Sequence, residues 1–328
     1  MRFIGISSII LAHIGLSSKT ALFQIRTFDV PMMIFISGLA YAGRTTGNYI
    51  KFAWRRTKRL IVPVYIFLGI YFLINFILAQ AGLCEQIAAK KIAGSFMLRL
   101  NPSIGYVWII RIFLIVMLMT PLLIRLNDLV RRTWMFIALI ALLLVGQHFL
   151  IAWLKPLKLG WFVNDYLLYI LGYSTLFLLG IRMKNATLPT QLLFTGLLAA
   201  AFACMAVDIG GGEKTWLQMQ SFKYPPRLYY LLWGGAVSSL LWTTQRWWGR
   251  LLDLRPVKFI GQNTIWIYLW HIPLLSSPVL LPGESWGWRY ASVYGMAVLI
   301  FSLQYFIVRR IEARRPEKKN RLAGYLKG

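Results

Sequence analysis

Acidic residues are scarce in this chain: ten Asp and Glu stand against 36 Lys and Arg, and charged residues make up only 14% of its 328 positions. A soluble domain carries roughly 25% charged and 45–50% apolar residues. Here 58% are hydrophobic, spread along the whole chain, and the mean hydropathy is +0.61. A soluble globular enzyme, a disordered chain and a protein held by a single anchor are therefore excluded. Cysteine is nearly missing as well. Cys84 and Cys204 form neither a disulfide framework nor a metal-ligand spacing and read as bland apolar residues. The sequence has no Ser-His-Asp arrangement and no zinc-type spacing, so no metal is expected. The run Gly210-Gly211-Gly212 lacks the GK[ST] that would make it a phosphate-binding P-loop and reads as flexible loop. No internal repeat is found, which leaves inverted-repeat transporter symmetry without support.

What the chain does have is long apolar runs. A membrane-spanning helix needs about 20 mostly apolar residues, and such spans are expected near 2–17, 28–43, 60–80, 106–125, 134–154, 165–181, 191–208, 227–245, 262–281 and 289–308. The expected fold is all-α, a polytopic integral membrane bundle of about ten transmembrane helices. Sorting Lys and Arg by side, with the N-terminus in the cytoplasm, places 24 inside and 11 outside, with Arg111 within a span. The positive-inside rule then favours both termini in the cytoplasm. A transmembrane domain over 1–310 and a basic cytoplasmic tail over 311–328 follow. The loops near 81–104 and 209–226 are too short to fold alone. In a soluble protein the net charge of +26 would suggest nucleic acid. Here the basic residues cluster between apolar runs, so no nucleic acid is expected, and an anionic partner would be a lipid headgroup or a phosphorylated substrate at the membrane surface. An alternative for the first run is a cleaved signal peptide, but Ser17 to Ala21 offers no clean A-x-A site.

Four groups of residues carry candidate chemistry. Arg2 and His13 are eleven residues apart, just over three helical turns and about 16 Å along the axis. On a continuous helix they share nearly one face, with Arg2 at the cytoplasmic mouth and His13 deep in the span. An ionisable residue in a span is costly and suggests function; a neutral His bonded to a neighbouring helix is the other reading. Arg56 and Arg59 share a face at the start of the third span, where planar guanidinium groups suit phosphate, although topology and lipid headgroups also explain them. Arg111, with Trp108, lies about one turn inside the outer boundary, to line a polar cavity or to snorkel to the interface. Tyr268 and His271 share a face of a late span that also carries Trp266 and Trp270, and Asn263 is placed to cap its start. Asp29 opens the second span, where a carboxylate suits the helix dipole or faces an acceptor. His148 is a weaker candidate.

Taken in order and spacing, these stretches resemble the membrane-bound acyltransferase family 3, whose members include bacterial surface-polysaccharide O-acetyltransferases. Arg2 to His13 matches its first-helix Arg-x10-His motif, and Phe28 to Gly38, ending in Ser37-Gly38, resembles its second helix. Arg56-x-x-Arg59, followed by Leu60 and Pro63, resembles its Arg-x-x-Arg motif. Trp108 to Pro121 and Gly261 to His271 resemble its fourth and a late helix. The resemblance covers nearly the whole chain. It implies a bacterial inner-membrane O-acyltransferase with cytoplasmic acyl-CoA, most often acetyl-CoA, as donor substrate and no tightly bound cofactor. The implied acceptor is a hydroxyl on a lipid-linked or exported glycan. It further implies CoA phosphates on Arg2, Arg56 and Arg59, and His13 as general base or as a transient acyl carrier. Arg111, Tyr268 or a backbone amide would stabilise the oxyanion, with Trp108, His271 and Asp29 lining the cavity. Membrane lipids are expected partners, and self-association is left open. A glycan-lipid flippase and a non-catalytic scaffold in polysaccharide synthesis are the alternatives.

Overall fold

The computed structural model describes residues 1–45, 47–210, 218–276, 285–314 and 321–327. Gly211 and Gly212 of the glycine run lie outside them, as do the end of the 262–281 span and part of the basic tail. The regular structure of the described residues is all helix, joined by turns and irregular segments, with no strand among them. Seven helical stretches are long and apolar enough to cross a membrane: Ala21–Tyr41, Tyr49–Gln80, Trp108–Leu129, Thr133–Leu154, Val163–Asn185, Leu188–Ile209 and Trp286–Arg314. Many of their Leu, Ile and Phe side chains point outward, Leu73, Ile77, Leu142 and Leu303 among them. Hydrocarbon accommodates such faces, and the helices satisfy their own backbone groups, as a lipid environment demands.

The helices fall into two units. The first comprises Met1–Ile9, Ser17–Ala53 and Ile112–Leu254. It holds most of α1 (Arg2–Leu11), then α2 (Ala21–Ile25), α3 (Asp29–Tyr41), the start of α4 (Tyr49–Gln80), nearly all of a helix over Trp108–Leu129, and those over Thr133–Leu154, Leu168–Asn185, Leu188–Gly210 and Leu228–Trp248. With α5 (Ala89–Phe96) in the other unit, these last five are α6 to α10 in chain order. The second unit comprises Ile10–Leu16, Trp54–Arg111 and Arg255–Gly328. It holds most of α4, then α5, and α11 (Arg255–Gln262), α12 (Thr264–Leu274), α13 (Trp286–Arg314) and α14 (Arg321–Lys327).

In the first unit α8 is the buried spine, packed against α3, α7 and α10. Small residues set its approach to α3, as they do where membrane helices pack closely. A Cβ on Gly38 would stand 2.0 Å from the Phe177 carbonyl oxygen, and one on Gly180 would stand 2.2 Å from that of Phe35. Gly38, the second residue of the Ser37-Gly38 pair that closes the second-helix stretch, is therefore a packing requirement. Buried Gln147 on α7 is fully used: its amide donates to the Leu168 carbonyl at 2.7 Å and the Pro226 carbonyl at 3.2 Å, and accepts from the Gly172 N–H at 3.1 Å. Arg182 donates to the carbonyls of Asn127, Val130 and Arg131 and so closes the C-terminal end of α6.

In the second unit α12 packs on α13, and α14 on α13. The Trp266 indole donates to the Tyr325 carbonyl at 2.8 Å. Trp270 donates to Gln304 at 2.7 Å, and Gln304 in turn donates to the Leu326 carbonyl at 2.7 Å. Trp266 and Trp270 are thus packing aromatics. Asn263 occupies the cap position of α12, but its amide donates back to the Phe259 carbonyl at 2.7 Å instead of capping.

Two boundaries and one span differ from expectation for physical reasons. α1 ends at Leu11, so the first run is shorter than 2–17 and His13 lies in the turn that closes it. α4 starts at Tyr49, about ten residues before the apolar run, and is 32 residues long. At 1.5 Å per residue that is about 48 Å, well beyond a hydrocarbon core of about 30 Å. Its basic first turns, which hydropathy alone assigns to a loop, are helix outside that core. α10 is 21 residues long but, rich in Tyr, Trp and Gly, is not among the seven apolar stretches.

Candidate active site

His13 follows α1 directly, and its backbone N–H donates to the Ile10 carbonyl at 2.9 Å. Gly15, two residues on, has φ of +83°, a left-handed conformation that a glycine adopts without strain, and the chain leaves the helix there. This turn presents the His13 ring to α12. His13 Nδ1 lies 3.0 Å from His271 Nε2, and the two rings stack with centroids 5.2 Å apart at 15°. Tyr106, just before α6, sets its ring edge-on to His13 at 4.8 Å and to His271 at 6.2 Å.

α12 supplies the rest of the cluster. His271 is fully buried, and its Nδ1 bonds to the Tyr268 carbonyl one turn earlier. The Tyr268 hydroxyl donates to the Tyr106 carbonyl. The i, i+3 spacing of Tyr268 and His271 therefore does two things: it aims one residue's hydroxyl at the chain before α6 and uses the same residue's backbone to hold the imidazole. His13 is half-buried, the more accessible imidazole of the pair. In chemical terms the arrangement is a half-buried imidazole backed by a second, enclosed imidazole and walled by aromatic rings.

The other sequence candidates divide. Trp108 and Arg111 occupy the first turn of α6, directly after Tyr106, and both are buried. Arg111 has no exposed surface, which removes the snorkelling alternative. Arg56 and Arg59 lie one turn apart on α4, half-buried and exposed respectively, beside a Lys58 ammonium 4.2 Å above the Trp54 ring. Arg2 is exposed at the first residue of α1. His148 is an exposed residue of α7 against Phe149.

Asp29 is not placed to face an acceptor. It is 1% exposed and enclosed by two cations: Arg26 Nη1 at 2.9 Å from Oδ2, and Lys223 Nζ at 3.2 Å from Oδ1. Its Oδ1 also accepts the Val30 N–H at 2.7 Å, so it serves the start of α3 as the helix-dipole reading expects. Burial pulls the Lys223 ammonium below its usual range, and the Asp29 carboxylate opposes that pull.

Two residues near the His13–Gly15 turn were not candidates from sequence. Tyr106 sits two positions before Trp108, inside the stretch already singled out, and that proximity was its only signal. Arg289, at the start of α13, brings its guanidinium within 3.4 Å of where a Cβ on Gly15 would stand. As one basic residue in an outer-loop count, it had no signal.

The profile of a family described as an acyltransferase domain matches residues 1–310. No curated protein and no solved structure matches the chain.

Proposed function

The chain belongs to the acyltransferase family 3, and on that basis we propose that it is an O-acyltransferase of a bacterial inner membrane. It moves an acyl group, acetyl in the first instance, from cytoplasmic acyl-CoA to a hydroxyl of a surface or lipid-linked glycan. The observation that supports a chemical role over a purely transporting one is the His13–His271 contact at 3.0 Å within aromatic walls. A half-buried imidazole held by a second side chain is equipped for proton transfer near neutral pH.

His13 takes the proton of the acceptor hydroxyl as its oxygen attacks the thioester carbonyl. The tetrahedral intermediate collapses, the C–S bond breaks, and the departing CoA thiolate recovers the proton from the His13 imidazolium. The products are an ester and free CoA. Arg56 and Arg59, one turn apart on α4, hold phosphate groups of the donor. Arg2 is assigned to the donor by its motif alone. Arg111 is assigned to the developing oxyanion; Tyr268, expected to share that role, has its one hydroxyl proton donated to the Tyr106 carbonyl.

The test uses membranes carrying the protein, radiolabelled acetyl-CoA and the glycan of the expressing host. The reading expects base-labile label on the glycan with wild-type protein and none with His13→Ala at matched protein level. Unlabelled glycan that nevertheless crosses the membrane only when the protein is present would replace it with the flippase reading.

A further inference from the structure

The two histidines constrain each other's protons, and the constraint runs in one direction. A backbone carbonyl only accepts hydrogen bonds, so the bond between His271 Nδ1 and the Tyr268 carbonyl requires the proton on Nδ1. In the neutral imidazole the other nitrogen is then an acceptor. His271 Nε2, 3.0 Å from His13 Nδ1, must therefore receive its hydrogen bond from His13. That places the His13 proton on Nδ1 and leaves Nε2 as the unprotonated nitrogen. Free imidazole side chains have no such fixed assignment; the partner of the first nitrogen sets the state of the second.

From this geometry we infer that His271 is the positioning residue of the acyl transfer: acting through His13, it fixes the tautomer in which His13 Nε2 is the base. The inference rests on the general-base role proposed for His13. It gives a histidine and a backbone carbonyl the part that a carboxylate plays behind the base in Ser-His-Asp sites. When Nε2 takes the acceptor's proton, the Nδ1–H stays on His13 and its bond to His271 Nε2 persists. When Nε2 returns that proton to the thiolate, the starting tautomer is restored, so His271 neither gains nor loses a proton over the cycle. Enclosure suits a positioning residue. His271 has no exposed surface, and Trp270, its neighbour on α12, is tied through Gln304 to α14. The ring is thereby supported on a packed element.

The chain has three histidines, His13, His148 and His271, so ring-nitrogen NMR on protein labelled with 15N-histidine in lipid nanodiscs can read each tautomer. His148→Ala identifies the third set of signals. The expected wild-type result is a His13 protonated at Nδ1 and unprotonated at Nε2, and a His271 with the same assignment. His13 carrying its proton on Nε2 would overturn the inference, and this readout stands even where no transfer activity is found, so it separates this inference from the proposed function. The kinetic arm uses His271→Leu and His271→Gln, both checked for monodispersity. Loss of the acceptor in His271→Leu lowers kcat by about 10²–10⁴-fold while KM for acyl-CoA stays within about twofold. Gln, whose amide oxygen can accept from His13 Nδ1, recovers most of that loss. Equal kcat in wild type and His271→Leu would sink the inference. So would an equal loss in the Leu and Gln variants, because a merely structural role distinguishes neither the acceptor nor kcat from KM.

Discussion

Among the described residues, the Asp29 cluster and the His13–His271 pair are built on opposite terms. In the first unit, Arg26, Asp29 and Lys223 are each at most 3% exposed, and the carboxylate is closed on both sides by cations. In the second unit, His271 is as deeply buried, but its partner His13 is half-exposed, and neither needs to carry charge at rest. The first cluster holds charges that cannot leave without stranding a partner in low dielectric, where an unpaired ion is expensive. The second joins two imidazoles by a hydrogen bond, one enclosed and one half-buried. An ion cluster of the first kind clamps the 219–226 segment to the start of α3; a neutral pair of the second kind is suited to turnover. Burial of polar groups alone does not mark an active site, and the sequence-level grouping of Asp29 with the histidines shows how easily the two are merged.

Substitutions test this contrast. The largest effect is expected from His13→Ala, which lowers kcat by about 10²–10⁴-fold with an unchanged melting profile in detergent; a variant that keeps full rate would end the base assignment. Asp29→Ala is expected to do the reverse. It leaves two buried cations facing each other and costs about 3–5 kcal/mol of stability, seen as lower yield and a lower apparent Tm. The rate per folded molecule should hold, and a selective loss of rate with normal stability would move Asp29 back into the chemistry. Gly38→Ala tests the packing that seats α3, the helix that Asp29 opens. Its new Cβ meets the Phe177 carbonyl, and about 1–3 kcal/mol of destabilisation is expected from such overpacking, again with little change in rate per folded molecule.

Smaller effects come from charges that are at least partly exposed. Arg56→Ala is expected to raise KM for acyl-CoA about tenfold, in line with roughly 1.5 kcal/mol for a lost charge-assisted hydrogen bond. Raising the salt concentration should narrow the gap between variant and wild type, since exposed charges are screened. The Arg26 and Lys223 contacts should show no such sensitivity. The smallest effect belongs to His148→Ala, an exposed ring on α7 that should change neither stability by more than about 0.5 kcal/mol nor rate by more than about twofold. A larger loss would mean that the candidate site has been drawn too narrowly.

Legibility differed by the kind of information involved. The membrane class and most of the spans could be read directly, because a run of apolar residues long enough to cross hydrocarbon is a local property. Boundaries suffered where composition and geometry part. Hydropathy stops at the basic residues of α4 although the helix continues through them, and the first run is apolar to Leu16 although its helix ends at Leu11. The helical-face argument that linked Arg2 to His13 assumed a helix unbroken to His13, and α1 does not provide one. His13 could still be singled out from sequence, because an imidazole in an apolar run stands out without any fold. Tyr106 and Arg289 did not, being ordinary residues in ordinary positions until the fold set Tyr106 against His13 and Arg289 against Gly15.

Composition, motif order and helical spacing were enough to establish a helical membrane protein, to place it in an acyltransferase family, and to mark Tyr268 and His271 as neighbours on one face. That His13 meets His271, 258 positions away, came from helix packing, as did the commitment of Asp29 to Lys223, 194 positions away, whereas Arg26 is a local partner three residues from Asp29. The physical reason is that hydrogen bonds and ion pairs reach only about 3 Å. Which side chains come within that reach depends on how helices distant in sequence pack, and periodicity along one helix carries no information about its neighbour.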